Sequence, residues 1–295
     1  MSDKNTVRAP PSPCVGVCRI DEGSGFCIGC ARSGAEIASW RTASSETLSR
    51  IWAELPSRRA ALGLKLHRLA WTRDDIHSFV ADTIASDHGT WVGGVYGAVA
   101  EFCIGEDEAV EISDRGGGRF TASTARAAIS MSLSDRVRAF AFDHKHVVML
   151  AVPRVYASPP GVTGFNALGL DTEAIRPNDR EGYLYDFGLG VGSSGFGVRT
   201  ADLSLRHALD ACVGDPWPKV LAAAGRRIIQ ISPPRVVVTP IGRIEVFTRI
   251  PSPGELTPPG PHTHFLPELL AAGRETAPGM ELPEAYLSCL IYYPG

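Results

Sequence analysis

The stretch TWVGGVYGAVAEFCI, residues 90–104, decides the fold, because the hydrophobic period changes there. Upstream, Ile76, Phe79, Val80 and Ile84 recur at the spacing that places side chains on one face of a helix. Thr72 and Asp75 occupy capping-box positions at the start of that helix, and Gly89 follows its end. From Thr90 onward, branched and aromatic residues dominate a short run, and the pattern reads as strand. Further strand-like runs follow at EAVEIS (residues 108–113), 119–131, 136–142 and 146–152, with DRGGGR (residues 114–119) as a turn. Spacing this tight predicts an antiparallel sheet of hairpins.

The rest of the chain mixes element types. VYASPPGVTGFNALG (residues 155–169) reads as a loop, 171–176 as one helical turn, and GYLYDFGLG (residues 182–190) as a strand. Helices are expected over ADLSLRHALDACVG (residues 201–214), PWPKVLAAAGRR (residues 216–227) and Phe265–Gly273. RVVVTPIGRIEVFTRI (residues 235–250) reads as a hairpin, and YLSCLIYYP (residues 286–294) as a final strand. Strands and helices do not alternate regularly, so the class is α+β rather than doubly wound α/β. Before residue 71, Ser33 or Gly34 caps a short expected helix through Trp40; Leu48, Ile51, Trp52 and Leu55 line a second that Pro56 is expected to end; and a third is expected from Ser57 to Ala70. The expected organisation is a disordered tail (1–11), a helical four-cysteine metal-binding module (12–70), and a larger α+β ligand- or partner-binding domain (71–295).

With 44% hydrophobic and 21% charged residues in 295, the composition is that of a globular chain with a substantial core. The net charge of −3 is too small to argue for nucleic acid by bulk electrostatics. Residues 1–70 carry ten Lys/Arg against six Asp/Glu, and the remainder nineteen against twenty-six. The opening MSDKNTVRAPPSP lacks the apolar segment of a secretory signal, and no apolar run is long enough to span a bilayer. The expectation is a cytoplasmic chain without a membrane partner, in which clustered cysteines are read as ligands before disulfides.

SPCVGVCRIDEGSGFCIGC, residues 12–30, supplies that cluster: Cys14, Cys18, Cys27 and Cys30, spaced x3, x8 and x2. Four thiolates close a tetrahedral zinc shell or hold an iron–sulphur cluster. The x2 pair has knuckle spacing, with Gly29 inside it, whereas the x3 pair is less typical. The spacing therefore points to a metal without choosing zinc or iron–sulphur. So small a segment has few apolar residues, and the metal would supply its folding energy.

Residues 12–60 resemble a short bacterial domain of unknown function called a predicted iron–sulphur protein of the YdhL type. The resemblance rests on Ser12-Pro13-Cys14, Cys18, Gly25, Cys27, Gly29-Cys30, Arg32, Glu36-Ile37, Trp40 and Leu55-Pro56. It implies metal binding by the same four cysteines. GTWVGGVYGAVAEF, LGLDTEAIRPNDREGYLYDFGLG and IGRIEVFTRIPSPGELTPPGPHTHFLPELLAAGR resemble an uncharacterised bacterial family, which implies no reaction.

His262 and His264 form a second candidate, because a His-x-His pair on a strand points both rings to one face. Glu268, four residues on, is the nearest carboxylate for a two-histidine, one-carboxylate metal set. Pro267 and the run after it favour a loop entering a helix instead. His144 and His146 repeat the spacing in a hairpin turn. Gly190, Gly192 and Gly195 have dinucleotide-loop spacing, but no helix opens directly on them, so a glycine-rich turn is the plainer reading. Arg199 is the anion contact in the alternative case. Asp171, Glu173, Asp179 and Asp186 are carboxylates available for acid–base work, and Cys103, Cys212 and Cys289 read as core thiols.

The leading functional expectation is an accessory or interaction protein: zinc or iron–sulphur on the four cysteines, an unknown protein partner, and a small-molecule ligand in the larger domain. A metal-dependent enzyme using His262, His264 and Glu268 is the alternative. Nucleic-acid binding through the cysteine module, with Arg50, Arg58, Arg59, Lys65 and Arg68 nearby, is the third reading, disfavoured because aromatic residues do not interleave the basic ones.

Overall fold

The computed structural model describes residues 10–86, 88–106, 108–114, 116–143, 145–157, 164–190 and 194–295. Most of the expected disordered tail (1–9), together with His144 and Gly192, lies outside the described residues. The elements run α1 (Gly34–Ser39), α2 (Ser45–Leu62), β1 (Leu66–Arg68), α3 (Arg73–Ala85), β2 (Thr90–Val95), β3 (Ala98–Phe102), β4 (Glu111–Asp114), β5 (Arg119–Ser123), β6 (Ala127–Ser132), β7 (Arg138–Phe142) and β8 (Val147–Pro153). They continue with β9 (Asn166–Leu170), β10 (Tyr183–Asp186), β11 (Gly195–Thr200), α4 (Leu203–Asp210), α5 (Trp217–Ile231), β12 (Arg235–Thr239), β13 (Gly242–Val246), β14 (Thr263–Phe265), α6 (Pro267–Leu270) and β15 (Tyr286–Tyr293).

The strands make two antiparallel sheets, ordered β1-β7-β8-β15-β2-β3-β14 and β4-β5-β6-β13-β12-β11-β10-β9. The period-2 burial of β2 and β3 sends Trp91, Val95, Ala98, Ala100 and Phe102 to the inner face and leaves Val92, Val99 and Glu101 on the outer one. Both inner faces feed one core cluster, joined by Ile76, Val80 and Ile84 of α3 and by Leu205, Val220 and Ile228 of α4 and α5. The sheets approach closely at Gly93, where an added Cβ would sit 3.0 Å from Leu290 and 3.3 Å from Ile244 of the facing sheet. Trp91 fixes α3 onto the first sheet: its indole N–H donates to Thr83 at 3.2 Å, and its ring meets Phe79 and Tyr292. Each such large side chain contributes about 1.5–3 kcal/mol by leaving water.

The α+β class holds, and so do the hairpins from Thr90 to Pro153, although residues 90–104 form two strands rather than one. Thr72 caps α3 in a capping box with Asp75, as its sequence predicts. Five local expectations are corrected. Pro56 does not end its helix: α2 runs through it to Leu62 and stops at Gly63, whose φ of 63° suits the left-handed cap. Burial of Leu48, Ile51 and Leu55 along one face outweighs the single lost backbone bond. The third helix is therefore absent, and residues 66–68 pair with Phe142, Ala141 and Phe140 as β1. The supposed loop at 155–169 ends in strand β9, paired with β10. The turn over 171–176 is not helical, and the helix over 265–273 shrinks to α6 behind strand β14.

The first residues of the cysteine segment are packed on this body. Val15 is buried with Phe140 and Ala151 on the outer face of the first sheet, and Pro11 accepts a 3.0 Å hydrogen bond from the Trp52 indole.

Candidate functional site

Among the described residues, one group of three metal-type donors has all its ligand atoms within 4.8 Å of one another: Glu101, His262 and His264. Strand geometry assembles it. His264 lies opposite Val99 in the β14–β3 register, and the amide of Glu101 donates to the His262 carbonyl at 2.9 Å. Residues two apart share a face, so both rings stand on the outer face beside Glu101. The Nε2 atoms of the two rings are 2.9 Å apart, and His264 Nε2 is 2.9 Å from Glu101 Oε1. The ring of His262 is anchored at Nδ1, which donates to the Gly260 carbonyl at 2.8 Å and lies 3.5 Å from Glu101 Oε2. A carbonyl only accepts, so that bond places the proton on Nδ1 and leaves the Nε2 lone pair facing the group. Metal-binding histidines are oriented by the same kind of second hydrogen bond.

Two ring nitrogens and a carboxylate thus share the one point, with the proton of His264 between them. The hydrogen bond to Glu101 raises the His264 pKa, against the pull of burial. Burial and the Glu101 charge push the thiol of Cys103 up, and burial followed by Glu101 does the same to the Tyr293 hydroxyl. A cavity of about 450 Å³ opens beside Glu101 and His264, with Tyr96, Val99, Leu266, Ile291 and Tyr293 in its walls. Gly97 brings α6 over this cavity, since a Cβ there would lie 2.7 Å from the amide of Leu270.

The carboxylate that joins the histidines is Glu101, not Glu268. Glu268 is exposed in the first turn of α6 and lies outside the group. His146 is exposed in the turn between β7 and β8 with φ of 55°, and its partner in the spacing, His144, is not among the described residues.

The cysteines are only partly gathered. No three of the four sulphurs meet the 4.8 Å condition. Cys27 and Cys30 are buried and interact, Cys14 is half-buried, and Cys18 is exposed. The surroundings nonetheless suit thiolates. The amides of Gly29 and Gly16 point at Cys27 and Cys14 Sγ, each at 3.4 Å, and Arg32 Nε is 3.4 Å from Cys30 Sγ. Burial opposes ionisation of Cys27, but bonds from the backbone of Gly29, Arg19 and Cys30 outweigh it and lower that pKa. Burial dominates at Cys30 and raises it, with Arg32 opposing. Arg68 is buried near Cys14 with its Nε unpaired, a cation placed where thiolate charge would accumulate. Gly29 is required by contact, because a Cβ would overlap the Val17 carbonyl.

The strands on either side of the glycine run, β10 and β11, pair antiparallel, and among the described residues the next helix, α4, begins only at Leu203. Arg199 does not wait for an anion. It lies on the outer face of the second sheet, bonded to Asp171 at 3.0 Å, Glu245 at 2.8 Å and Asp179 at 2.8 Å. Arg243 completes the network through Glu245 at 2.6 Å and a close contact with Asp171. Asp171 and Asp179 are thereby engaged, and Glu173 is exposed. Asp186 is raised by burial, opposed by bonds from the amides of Gly188 and Phe196. Burial raises Cys212, and Cys289 to about 12, in keeping with core thiols. Of the basic residues near the cysteines, Arg58 is held by Glu36 and Glu54 and stacks on Phe26, and Arg68 is buried.

Two family models match the chain. One, described as a family of unknown function (DUF6925), covers residues 75–295. The other, described as a protein of unknown function (DUF1289), covers residues 12–59. No curated protein and no solved structure matches.

Proposed function

We propose, from the premise that the chain belongs to DUF6925, a family of unknown function, that it is a metal-dependent enzyme whose centre is Glu101, His262 and His264. The observation that carries this reading is the convergence of two imidazoles and a carboxylate within 4.8 Å, with the His262 lone pair aimed inward by Gly260. Two nitrogens and one oxygen suit a first-row divalent cation such as zinc, iron(II) or manganese. Three protein ligands would leave positions open, at which a bound cation could activate water or polarise a substrate oxygen. Glu101 and His264 border the adjacent cavity, whose mostly apolar walls suit a small, largely apolar substrate.

A second metal is favoured by the N–H···S bonds around the cysteines. Cys14, Cys18, Cys27 and Cys30 would hold zinc or an iron–sulphur cluster that organises the first segment and serves no substrate. A cytoplasmic location belongs to this proposal, because reduced thiols are what it needs. No described helix is long and apolar enough to cross a membrane. A protein partner and a nucleic acid find less support, since Arg58 and Arg68 are already engaged or buried.

The test is metal content after dialysis against zinc, iron(II) or manganese(II), with anaerobic handling and an absorption spectrum. His262→Ala/His264→Ala loses one equivalent, Glu268→Ala loses none, and Cys27→Ser/Cys30→Ser loses only the thiolate-bound metal. Full retention of metal by the double-histidine variant refutes the enzyme centre.

A further inference from the structure

Arg235 opens β12 as the one charge in an otherwise apolar strand, and it is only 3% exposed. Its guanidinium meets neutral oxygens alone: Nε–H donates to Thr263 Oγ1 at 3.4 Å, Nη1–H to the Pro233 carbonyl at 3.1 Å and Nη2–H to Thr248 Oγ1 at 3.1 Å. No carboxylate is paired with it among the described residues. A buried cation without a counter-charge is costly, and native proteins normally pair one. Arg199 and Arg243 in the same sheet illustrate the usual solution, with two or three carboxylates around each. Three acceptors also leave two of the five N–H groups uncommitted. Desolvation lowers the Arg235 pKa to about 10, so the group remains cationic at neutral pH.

The same side chain lines a cavity of about 1210 Å³ between the inner face of the second sheet, α5 and the segment after Ile250. Phe187, Phe196, Leu221, Ile228 and Phe265 form its apolar walls. Two other charged residues border it: Arg226 is exposed, and Glu255 is bound to Arg249 at 2.8 Å. The cavity therefore combines an apolar wall with an excess of positive charge, and its deepest cation has the fork that matches a carboxylate.

We infer that this cavity is a binding site for an amphipathic organic acid, whose carboxylate pairs with Arg235 while its apolar body lies against Phe187, Phe196 and Phe265. The ligand supplies the missing counter-charge, and the aromatic wall supplies the burial. His264 of the Glu101 centre also borders this cavity, so the test uses metal-stripped protein, in which decanoate has no bound cation to pair with.

Decanoate, below its micelle concentration, and 1-decanol are titrated calorimetrically into the full chain. The expected result is at least tenfold tighter binding of decanoate, erased in Arg235→Gln, which binds the two probes alike. Gly225→Phe fills the cavity from α5, where a Cβ has room 3.7 Å from Leu221, and it loses both probes. Equal or absent binding of the two probes to the wild-type chain overturns the inference, as does a preference for decanoate that survives Arg235→Gln. If Arg235→Gln does not fold, retention of decanoate by a folded Gly225→Phe overturns it, and loss supports it.

Discussion

Replacing Arg199 by Met tests whether the carboxylates around it are structural or chemical. Arg199 and Glu245 have side chains 2% and 0% exposed, and Asp171 is 2% exposed. Arg199→Met keeps most of the volume but removes ion-pair contacts at 3.0, 2.8 and 2.8 Å. Among the described residues, Asp171 and Glu245 are then left with Arg243 as their only cation, two buried negative charges against one positive. Uncovering a buried charge in this way costs about 3–5 kcal/mol. Asp179 adds little, because its side chain is 30% exposed and can turn to water. The strap from 171 to 180 should loosen as well, since the Ile175 amide is bonded to Glu245 at 3.1 Å. Urea unfolding followed by tryptophan fluorescence and circular dichroism reads the loss. Arg199→Met/Glu245→Gln should cost less than the sum of its single variants by about 1–3 kcal/mol, because the second change removes one of the orphaned charges. A loss under about 1 kcal/mol for Arg199→Met, or strict additivity, would refute the network as a structural clamp.

Three further outcomes are expected. Glu108 is held down to about 2 by its hydrogen bonds to Arg126, with burial opposing. Its folded pKa is depressed, so its stabilising contribution is complete above the ordinary glutamate range and is lost as pH falls from there towards 2. Glu108→Gln should flatten that acid limb in unfolding titrations, and an unchanged limb would count against the pair. Thr72→Ala removes one half of the α3 capping box and should lower stability by about 1 kcal/mol in the same assay. Gly29→Ala forces a methyl against the Val17 carbonyl, with Val15 Cγ2 3.0 Å away. It should lower thiolate metal content while leaving the metal at Glu101 in place, as read by metal analysis of the purified variant.

The hairpins from Thr90 onward were legible because a half-buried strand alternates, and α3 because its cap and its apolar stripe agree. The turn of α2 through Pro56 was not, since local propensity at one residue cannot weigh the burial of Ile51 and Leu55. The His-x-His spacing located two members of the candidate centre. The third lies 163 residues from His264, and only the pairing of β14 with β3 brings it near. Sequence proximity offered Glu268, which the short α6 carries out to solvent. Arg235 had one readable signal, a charge at the head of the apolar run RVVVT, but its lack of a carboxylate partner is a property of the packed interior.

Strand β14 holds only three residues at the edge of its sheet, yet its first one, Thr263, touches Arg235 while the histidines on either side of that threonine face Glu101. Slippage by a single position would turn the imidazoles inward and the hydroxyl outward, dismantling both arrangements together. Alignment of this brief edge segment is thus a common point of failure, and damage there would silence two adjoining sites in one event.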